Sequence, residues 1–193
     1  MRCFSCHRLS RSIICDACAA SHFRSDHRTR HIGTLDIHSF FRYSSIETLL
    51  LTKHTPVGWR LYRWMGEHFL RPFIDTFARE QSSDIAIIGV DERPKGGYAH
   101  IATLTHPLRR IPRIEVQHAT LIAGEDVSYA GQPLQYRVDH PREFRYTGPS
   151  NIEAILIDDI VTTGITLHEA WQVLQDAGVD VLFAVTLADA REE

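Results

Sequence analysis

Short, almost wholly apolar runs alternate with amphipathic segments along this chain, which is the pattern of an α/β protein. The clearest runs are Ala-Ile-Leu-Ile at residues 154–157 and Ile-Ala-Ile-Ile-Gly-Val at residues 85–90. Both predict buried strands, because strands covered on both faces read as continuous apolar stretches. Apolar residues then recur with helical spacing over 167–174, and another apolar run follows at 179–187. Strand, helix and strand in this order predict a βαβ unit and an at least partly parallel sheet.

The remaining pattern predicts a set of shorter elements. Further strands are expected at residues 38–43, 121–123 and 134–138, and helices at residues 46–52, 57–78 and 98–105. Pro72 predicts a break or kink in the longest helix near Arg71, because proline lacks the N–H that a helix interior needs. The polar residues 22–34 are interpreted as a linker or an exposed hairpin, and the arginine-rich residues 109–113 as a loop.

Two adjacent carboxylates and a turn of small residues separate the strand at 154–157 from the following helix. Neighbouring strand residues point to opposite faces, but a chain that turns at the strand's carboxyl end can bring both acids to one crevice. Backbone N–H groups at a helix N-terminus bind phosphate. The segment therefore predicts a phosphate-binding site, whose candidate residues are Asp158, Asp159, Ile160, Val161, Thr162, Thr163, Gly164, Ile165 and Thr166.

Simpler interpretations explain parts of this segment. Thr166 and Glu169 have the spacing of a capping box, and two aspartates before a turn are ordinary loop chemistry. Neither interpretation requires strand, acid pair and Thr-Thr-Gly in this order. A Walker-type phosphate loop is excluded, because its Gly-x-x-x-x-Gly-Lys pattern is missing and the chain has lysine only at Lys53 and Lys95.

Cysteine is confined to the first 18 residues, in two C-x-x-C pairs formed by Cys3, Cys6, Cys15 and Cys18. Two such pairs joined by a short loop predict one structural zinc ion held by four thiolates. Two disulfides or a redox C-x-x-C are the alternatives. The lack of a signal peptide at the start of the sequence argues against disulfides, and the duplication argues against a redox site. His7 or His22 could replace one cysteine as a ligand, but with four thiolates present both histidines are expected at the surface.

The charge of the chain is unevenly distributed. Net charge is −3, but residues 1–80 carry 12 Lys and Arg against 7 Asp and Glu, whereas residues 81–193 carry 9 against 17. Arginine, which suits bidentate phosphate contact, supplies 19 of the 21 basic residues. The basic front end suggests an anionic macromolecular partner, and a solvated surface without a partner is the alternative.

Two groups of basic residues are candidates for contact with nucleic acid. The first lies in the segment 22–34, which is either a solvated loop or a phosphate-binding surface. The second alternates with aromatic residues, a composition that suits single-stranded nucleic acid but also suits core packing. The candidates are Arg24, Arg28 and Arg30 in the first group, and Arg60 and Arg63 in the second.

A loop of acids, cations and glycines follows the strand at 85–90. Lys95 precedes two glycines, so it can meet an anion without crowding from the backbone. Asp91, Arg93 and Lys95 are therefore candidates for an anion-binding loop, and an ordinary surface turn is the alternative.

The phosphate-site segment resembles the PRPP (phosphoribosyl pyrophosphate) site of type I phosphoribosyltransferases. With the four cysteines in front of it, nearly the whole chain resembles the ComF family of competence-associated phosphoribosyltransferase homologues. The resemblance implies an α/β fold with a phosphoribosyltransferase-like, partly parallel sheet flanked by helices. It places a four-cysteine zinc-finger domain and basic linker at residues 1–35 and the phosphoribosyltransferase-like domain at residues 36–193.

The resemblance implies that Asp158 and Asp159 contact ribose hydroxyls and that the Thr-Thr-Gly turn wraps the 5′-phosphate, with Mg²⁺ accompanying PRPP. It also implies that the loop with Asp91, Arg93 and Lys95 is the pyrophosphate loop. It further implies a role in natural transformation: binding PRPP-like ribose phosphates and incoming single-stranded DNA, beside other DNA-uptake proteins at the inner membrane face. The alternatives are an active phosphoribosyltransferase that moves phosphoribose to a base, and a zinc-dependent interaction module that senses PRPP. Without a signal peptide or an apolar run near about 20 residues, we expect a cytoplasmic protein with no membrane span.

Overall fold

The computed structural model describes residues 1–90, 98–124 and 142–191. Its helices are α1 (Asp16–His22), α2 (Tyr43–Leu50), α3 (Pro56–Met65), α4 (Arg71–Ala78), α5 (His100–Thr105) and α6 (Ile165–Asp176), with a π-helical turn at Gly66–Leu70 and a 3₁₀ turn at His106–Arg110. Its strands are β1 (Arg28–Ile32), β2 (Leu35–Arg42), β3 (Ile85–Gly89), β4 (Ile114–Gln117), β5 (Leu121–Ala123), β6 (Phe144–Tyr146), β7 (Ile152–Val161) and β8 (Val179–Asp189).

Six strands form a mixed sheet in the order β1-β2-β8-β7-β3-β4. Only β1 is antiparallel to its neighbour, β2, and the other pairs within this sheet are parallel. Adjacent β7 and β8 are joined by α6, so the predicted βαβ unit is confirmed. The α/β class and the partly parallel sheet are therefore confirmed as well.

Helices bury both faces of this sheet. On one face, α3, α4 and α5 pack against alternate residues of the central strands, including Ile85, Ile87, Ile155 and Ile157. On the other face, α6 packs against the intervening residues, including Ala86, Ile88, Ala154 and Leu156. This double burial is the reason that the central strands read as continuous apolar runs.

The helix predicted at residues 57–78 contains a π-helical turn immediately before Arg71. The π-helical turn Gly66–Leu70 lies between α3 and α4, and Pro72 stands in the first turn of α4. The backbone remains right-handed helical from Met65 through Arg71, so the helix is not broken: it widens into a π-turn that tolerates the missing N–H of the proline. Gly66 also permits close packing, since a Cβ there would lie 2.1 Å from the carbonyl oxygen of Leu104.

The four-cysteine segment packs on the side of the sheet that α3, α4 and α5 cover. Cys3 and Cys18 are buried in the same apolar cluster as α3 and α4, and the Phe23 ring meets the Trp64 ring edge-on at 5.3 Å. The polar segment 22–34 is largely a hairpin, because β1 pairs antiparallel with β2. Residues 28–35, which the sequence places in the zinc domain and its linker, thus form the edge of the main sheet.

Several smaller predictions have different outcomes. The strand at 121–123 is present and pairs with β6. The loop predicted at 109–113 is wrong in part, since Arg109 and Arg110 end a 3₁₀ turn and Arg113 Nη1 donates to the Gln81 carbonyl at 3.2 Å. The strand predicted at 134–138 lies outside the described residues. Among the described helices, none has the length and apolar character to cross a membrane.

Candidate functional site: a carboxylate pair and a phosphate turn

Asp158 and Asp159 lie within β7. The sequence predicts a strand over 154–157 that ends before the acids, and this boundary is wrong. The strand continues to Val161 because β8 pairs with it along this stretch, with Asp158 opposite Thr186. The two side chains have different partners: Asp158 Oδ1 accepts from the backbone N–H of Asp159 at 2.8 Å, and the Asp159 carboxylate meets side chains from the helices.

Three cationic or hydroxyl groups surround Asp159. Its Oδ2 lies 3.1 Å from Lys53 Nζ and 3.0 Å from the Tyr62 hydroxyl. His100 Nε2 lies 3.5 Å from the same oxygen. Lys53 comes from the connection between α2 and α3, Tyr62 from α3 and His100 from the start of α5, so three separate segments converge on this acid.

The surroundings separate the ionisation of the two acids. Burial raises the pKa of Asp158 well above its ordinary value, and the charge of Asp159 raises it further. Burial acts on Asp159 in the same direction, but Lys53 and His100, with the hydrogen bonds from Lys53 and Tyr62, lower its pKa below the ordinary value. Asp159 is therefore ionised at a pH where Asp158 still holds its proton.

A left-handed glycine shapes the turn between β7 and α6. Gly164 has φ +85° and is the N-cap of α6, which receives no side-chain cap. The capping-box interpretation of Thr166 and Glu169 is wrong, because Glu169 instead accepts from the backbone N–H of Arg142 at 3.2 Å. Residues 162–164, called the phosphate turn below, thus lead into a helix end whose N-cap is a glycine. The N–H of Ile165, the first residue of α6, donates to Thr163 Oγ1 at 3.4 Å.

The hairpin strand β1 lies against the phosphate turn. Arg30 donates to the carbonyl oxygens of Thr162 and Thr163. A Cβ on Gly164 would lie 1.7 Å from Cδ1 of Ile32, so the side chain of Ile32 takes the space beside this glycine. The Arg-rich segment and the predicted phosphate site are therefore in direct contact.

The four predicted zinc ligands come together. The sulfur atoms of Cys3, Cys6, Cys15 and Cys18 all lie within 4.8 Å of one another, and those of Cys6 and Cys15 are 3.8 Å apart. Zinc–sulfur bonds of about 2.3 Å in a tetrahedron place sulfurs roughly 3.8 Å apart. All four cysteines are free of disulfides, and together they could hold one zinc ion.

The arginines of the front end have internal partners. Arg24 Nε donates to the Ala20 carbonyl at 3.0 Å, and Arg28 Nε lies 3.0 Å from Asp26 Oδ2. The side chains of Arg28 and Arg30 are each 14% exposed. These contacts leave Arg24 as the more exposed of the three candidates.

Arg60 and Arg63 face a groove between the cysteine segment and α3. The groove has a volume of about 450 Å³, and we call it the arginine groove. Its polar lining includes one acid, Glu67, and Trp59 beside it is 43% exposed. Trp64, by contrast, is buried and packs on Phe23. The four arginines that line the groove are Arg11, Arg60, Arg63 and Arg110.

Three residues around Asp159 were not predicted from the sequence, and three predicted residues lie outside the described part of the structure. Lys53, Tyr62 and His100 lie 106, 97 and 59 positions from Asp159, and no local pattern links them. A buried tyrosine on an apolar helix face was the one available signal, and it suggests packing. The pyrophosphate-loop candidates Asp91, Arg93 and Lys95 lie outside the described residues.

Comparison with known proteins gives similarity at the level of structure alone. No family model matches the chain, and neither does a curated protein. The chain is similar to adenine phosphoribosyltransferase from Saccharomyces cerevisiae, with 12% identity, a TM-score of 0.43 and coverage of 90% of this chain and 88% of that chain. It is similar to a hypoxanthine phosphoribosyltransferase from Staphylococcus aureus, with 17% identity, a TM-score of 0.41 and coverage of 66% and 62%.

Leishmania donovani UMP synthase is a further similar structure, with 16% identity, a TM-score of 0.41 and coverage of 73% of this chain. The chain spans 24% of that UMP synthase chain and 62% of the hypoxanthine phosphoribosyltransferase chain. These TM-scores are below 0.5 and the identities below 20%, so nothing about the activity of this chain follows from the three similarities.

Proposed function

We propose that this chain binds PRPP, or a related ribose phosphate, at the carboxyl end of β7. One observation carries the proposal: two buried carboxylates, a left-handed glycine and the helix N-terminus that this glycine caps follow one another within nine residues, 158–166. Carboxylates accept hydrogen bonds from sugar hydroxyls, and backbone N–H groups at the start of a helix bind phosphate.

Each part of the site has a distinct role in this proposal. The 5′-phosphate binds the N–H groups of residues 162–166, and the ribose hydroxyls bind Asp158 and Asp159. A protonated Asp158 can donate to a hydroxyl as well as accept from one, because its pKa is raised. Mg²⁺ accompanies the pyrophosphate group of PRPP, which needs a hard cation to balance its charge.

Calorimetry with PRPP and Mg²⁺ tests this proposal. We expect wild type to bind, and Asp158→Ala, alone or with Asp159→Asn, to weaken binding by about tenfold or more, since hydrogen bonds to the ribose hydroxyls are lost. Asp180→Asn is the matched control. Asp180 is an exposed acid near the amino end of β8, whereas the proposed site is at the carboxyl end of the neighbouring β7. Wild type that binds neither PRPP nor ribose 5-phosphate would overturn the proposal.

We further propose a ComF-like role in natural transformation, in which the chain binds incoming single-stranded DNA through the arginine groove. The groove supports this role because four arginines face it and Trp59 offers an exposed ring. Arginines neutralise backbone phosphates, and an exposed aromatic ring can stack on a base without reading sequence. The front-end arginines support it less, because Arg28 and Arg30 have partners within the chain.

Oligonucleotide binding at several salt concentrations tests the groove. Arg60→Ala with Arg63→Ala should lower affinity for all sequences alike. The slope of log affinity against log salt concentration should become shallower by roughly 0.7 for each lost phosphate contact. Arg79→Ala with Arg145→Ala removes the same charge from exposed positions outside the groove, so this pair should have a smaller effect. Equal losses in the two double variants would show that only net charge matters and would contradict the groove.

Phosphoribosyl transfer is the second candidate function, and the acid pair favours it. A transferase would release pyrophosphate from PRPP when the correct base is present, whereas a binding protein would not. Pyrophosphate release measured with a panel of bases separates the two. Release that disappears in Asp158→Ala but persists in Asp180→Asn would identify the chain as an enzyme.

A further inference from the structure

We propose that Arg30 is a positioning residue for the phosphate turn, and that it holds the carbonyls of the turn away from the ligand. This inference rests on the proposed ribose-phosphate site and concerns how that site keeps a binding conformation. Arg30 belongs to β1 and lies 132 positions before Thr162 in the chain. The hairpin is therefore part of the site, although it precedes the strand and turn that the site is built on.

The guanidinium of Arg30 meets two consecutive peptides. Nη1 donates to the Thr162 carbonyl at 2.5 Å, and Nη2 donates to the Thr163 carbonyl at 2.9 Å. Nη1 also lies 3.5 Å from Oδ1 of Asp189, a side chain that is 1% exposed. A buried carboxylate at the end of β8 thus anchors the guanidinium, and the guanidinium anchors the turn.

Because peptides are planar, these two contacts also fix the directions of two N–H groups of the turn, and N–H groups attract anions. The carbonyl of Thr162 and the N–H of Thr163 belong to one planar trans peptide and point in opposite directions. The same holds for the carbonyl of Thr163 and the N–H of Gly164. With both oxygens bound to Arg30, both N–H groups point away from it, as phosphate binding requires. Rotation of either peptide would instead present a carbonyl oxygen to the phosphate and repel it.

Ile32 supports the turn from the same side. It is two residues after Arg30, so both side chains lie on one face of β1, and its Cδ1 takes the space beside Gly164. The turn is therefore in contact with β1 through one charged and one apolar side chain. The geometry requires arginine at position 30, because a lysine ammonium has no planar fork that can hold two carbonyls in fixed directions.

Phosphate binding by Arg30 variants tests the inference. The probes are inorganic phosphate and PRPP, measured by calorimetry on the full chain. We expect Arg30→Ala to weaken both by about tenfold, and Arg30→Lys to weaken both by a smaller factor, since hydrogen bonds from a charged donor are lost. Arg28→Ala is the matched control: Arg28 is on the same face of β1 and is equally exposed, but its partner is Asp26.

Rescue separates positioning from a general structural role. Guanidinium chloride at a low, non-denaturing concentration should restore part of the affinity of Arg30→Ala, and sodium chloride at equal ionic strength should not. If Arg30→Ala fails to fold, Arg30→Lys decides, and wild-type affinity in that variant would overturn the inference. Wild type that binds, together with Arg30→Ala that binds equally well, overturns the role of Arg30 alone. Wild type that binds neither probe overturns the ribose-phosphate site as well.

Discussion

At the scale of single residues, Asp158 and Asp159 are chemically identical neighbours whose surroundings shift their pKa values in opposite directions. Asp159 has Lys53, Tyr62 and His100 around one oxygen, and these partners favour its ionised form. Asp158 has burial and a neighbouring negative charge, which favour its protonated form. Because the pair loses its protons at different pH values, it presents one fixed negative charge and one proton donor at the same time.

The raised pKa of Asp158 predicts that this residue costs stability at neutral pH. Its pKa in the folded state lies well above the ordinary 3.8, so the folded chain binds the proton more tightly than the unfolded chain. The free energy of unfolding therefore falls as pH rises from 3.8 towards the folded-state pKa. We expect Asp158→Asn to raise the free energy of unfolding at neutral pH by roughly 1 kcal/mol, and the gain to disappear near pH 3.8.

Denaturant unfolding across a pH series measures this effect, and Asp159→Asn provides the opposite control. The pKa of Asp159 is lowered, so its carboxylate contributes stability above the ordinary pKa and loses it as pH falls through the folded-state value. Asp159→Asn should thus lower the free energy of unfolding at neutral pH and leave Lys53 without its carboxylate. A loss of stability in Asp158→Asn at neutral pH would contradict the argument.

The sequence predicts the central residues of the site, because they are consecutive. An apolar run, an acid pair and a Thr-Thr-Gly turn are legible within 13 residues, 154–166. The residues that set the charge of the acids are not legible in this way, since Lys53, Tyr62 and His100 meet Asp159 only after three helical segments pack on the sheet. Tyr62 in particular has the spacing of a core residue, and its hydroxyl contact has no signature in the pattern.

At the scale of elements, a glycine controls the packing of the π-helical turn on α5. A Cβ on Gly66 would lie 2.1 Å from the Leu104 carbonyl oxygen and 3.3 Å from Pro107 Cγ. The first of these is a backbone atom of a buried helix, so it cannot move aside as a flexible side chain would. The turn and α5 can therefore approach this closely only while position 66 has no side chain.

Gly66→Ala should lower the free energy of unfolding by about 2 kcal/mol, because an added methyl group in a packed region forces the backbone apart. Helix propensity alone predicts the opposite sign, since alanine favours a helix over glycine by about 1 kcal/mol. Thermal and denaturant unfolding provide the measurement. Thr48→Ala, at an exposed position of α2, is the control and should change little. An increase in stability of Gly66→Ala would show that α5 is not held at this distance.

Periodicity predicts elements where burial alone determines them. It finds β3, the helices around residues 57–78 and 165–176, and the strand that closes the βαβ unit. It does not find the π-helical turn, whose apolar spacing continues that of the flanking helices. It also ends β7 too early, because the last residues of that strand are held by pairing with β8, and that partner strand lies later in the sequence.

At the scale of the whole molecule, the cysteine segment and the phosphate turn are connected through the sheet. The chain passes from α1, which carries Cys18, into β1, which carries Arg30. Division of the sequence at residue 35 separates β1 from the sheet that it joins, because the polar composition of residues 22–34 resembles that of a linker. Pairing of β1 with β2 instead places the segment at the edge of the main sheet, and this long-range pairing leaves no local pattern.

Zinc binding should therefore stabilise the whole chain and not only residues 1–35. Structural zinc contributes on the order of 10 kcal/mol to the folding of small four-cysteine units. We expect one zinc per chain in wild type, measured by elemental analysis, and loss of that zinc in Cys3→Ser and Cys15→Ser. Because Cys3 is buried in the apolar cluster that α3 and α4 share, its substitution should also lower the melting temperature of the whole chain. Hydrogen exchange should rise most in residues 1–35, while β7 and β8 remain protected at the centre of the sheet.

His7→Ala is the control: it adjoins Cys6 but is exposed, so zinc should be retained. Wild type prepared without chelators and containing no zinc would contradict this prediction, and zinc loss in His7→Ala would show that a histidine takes the place of one cysteine.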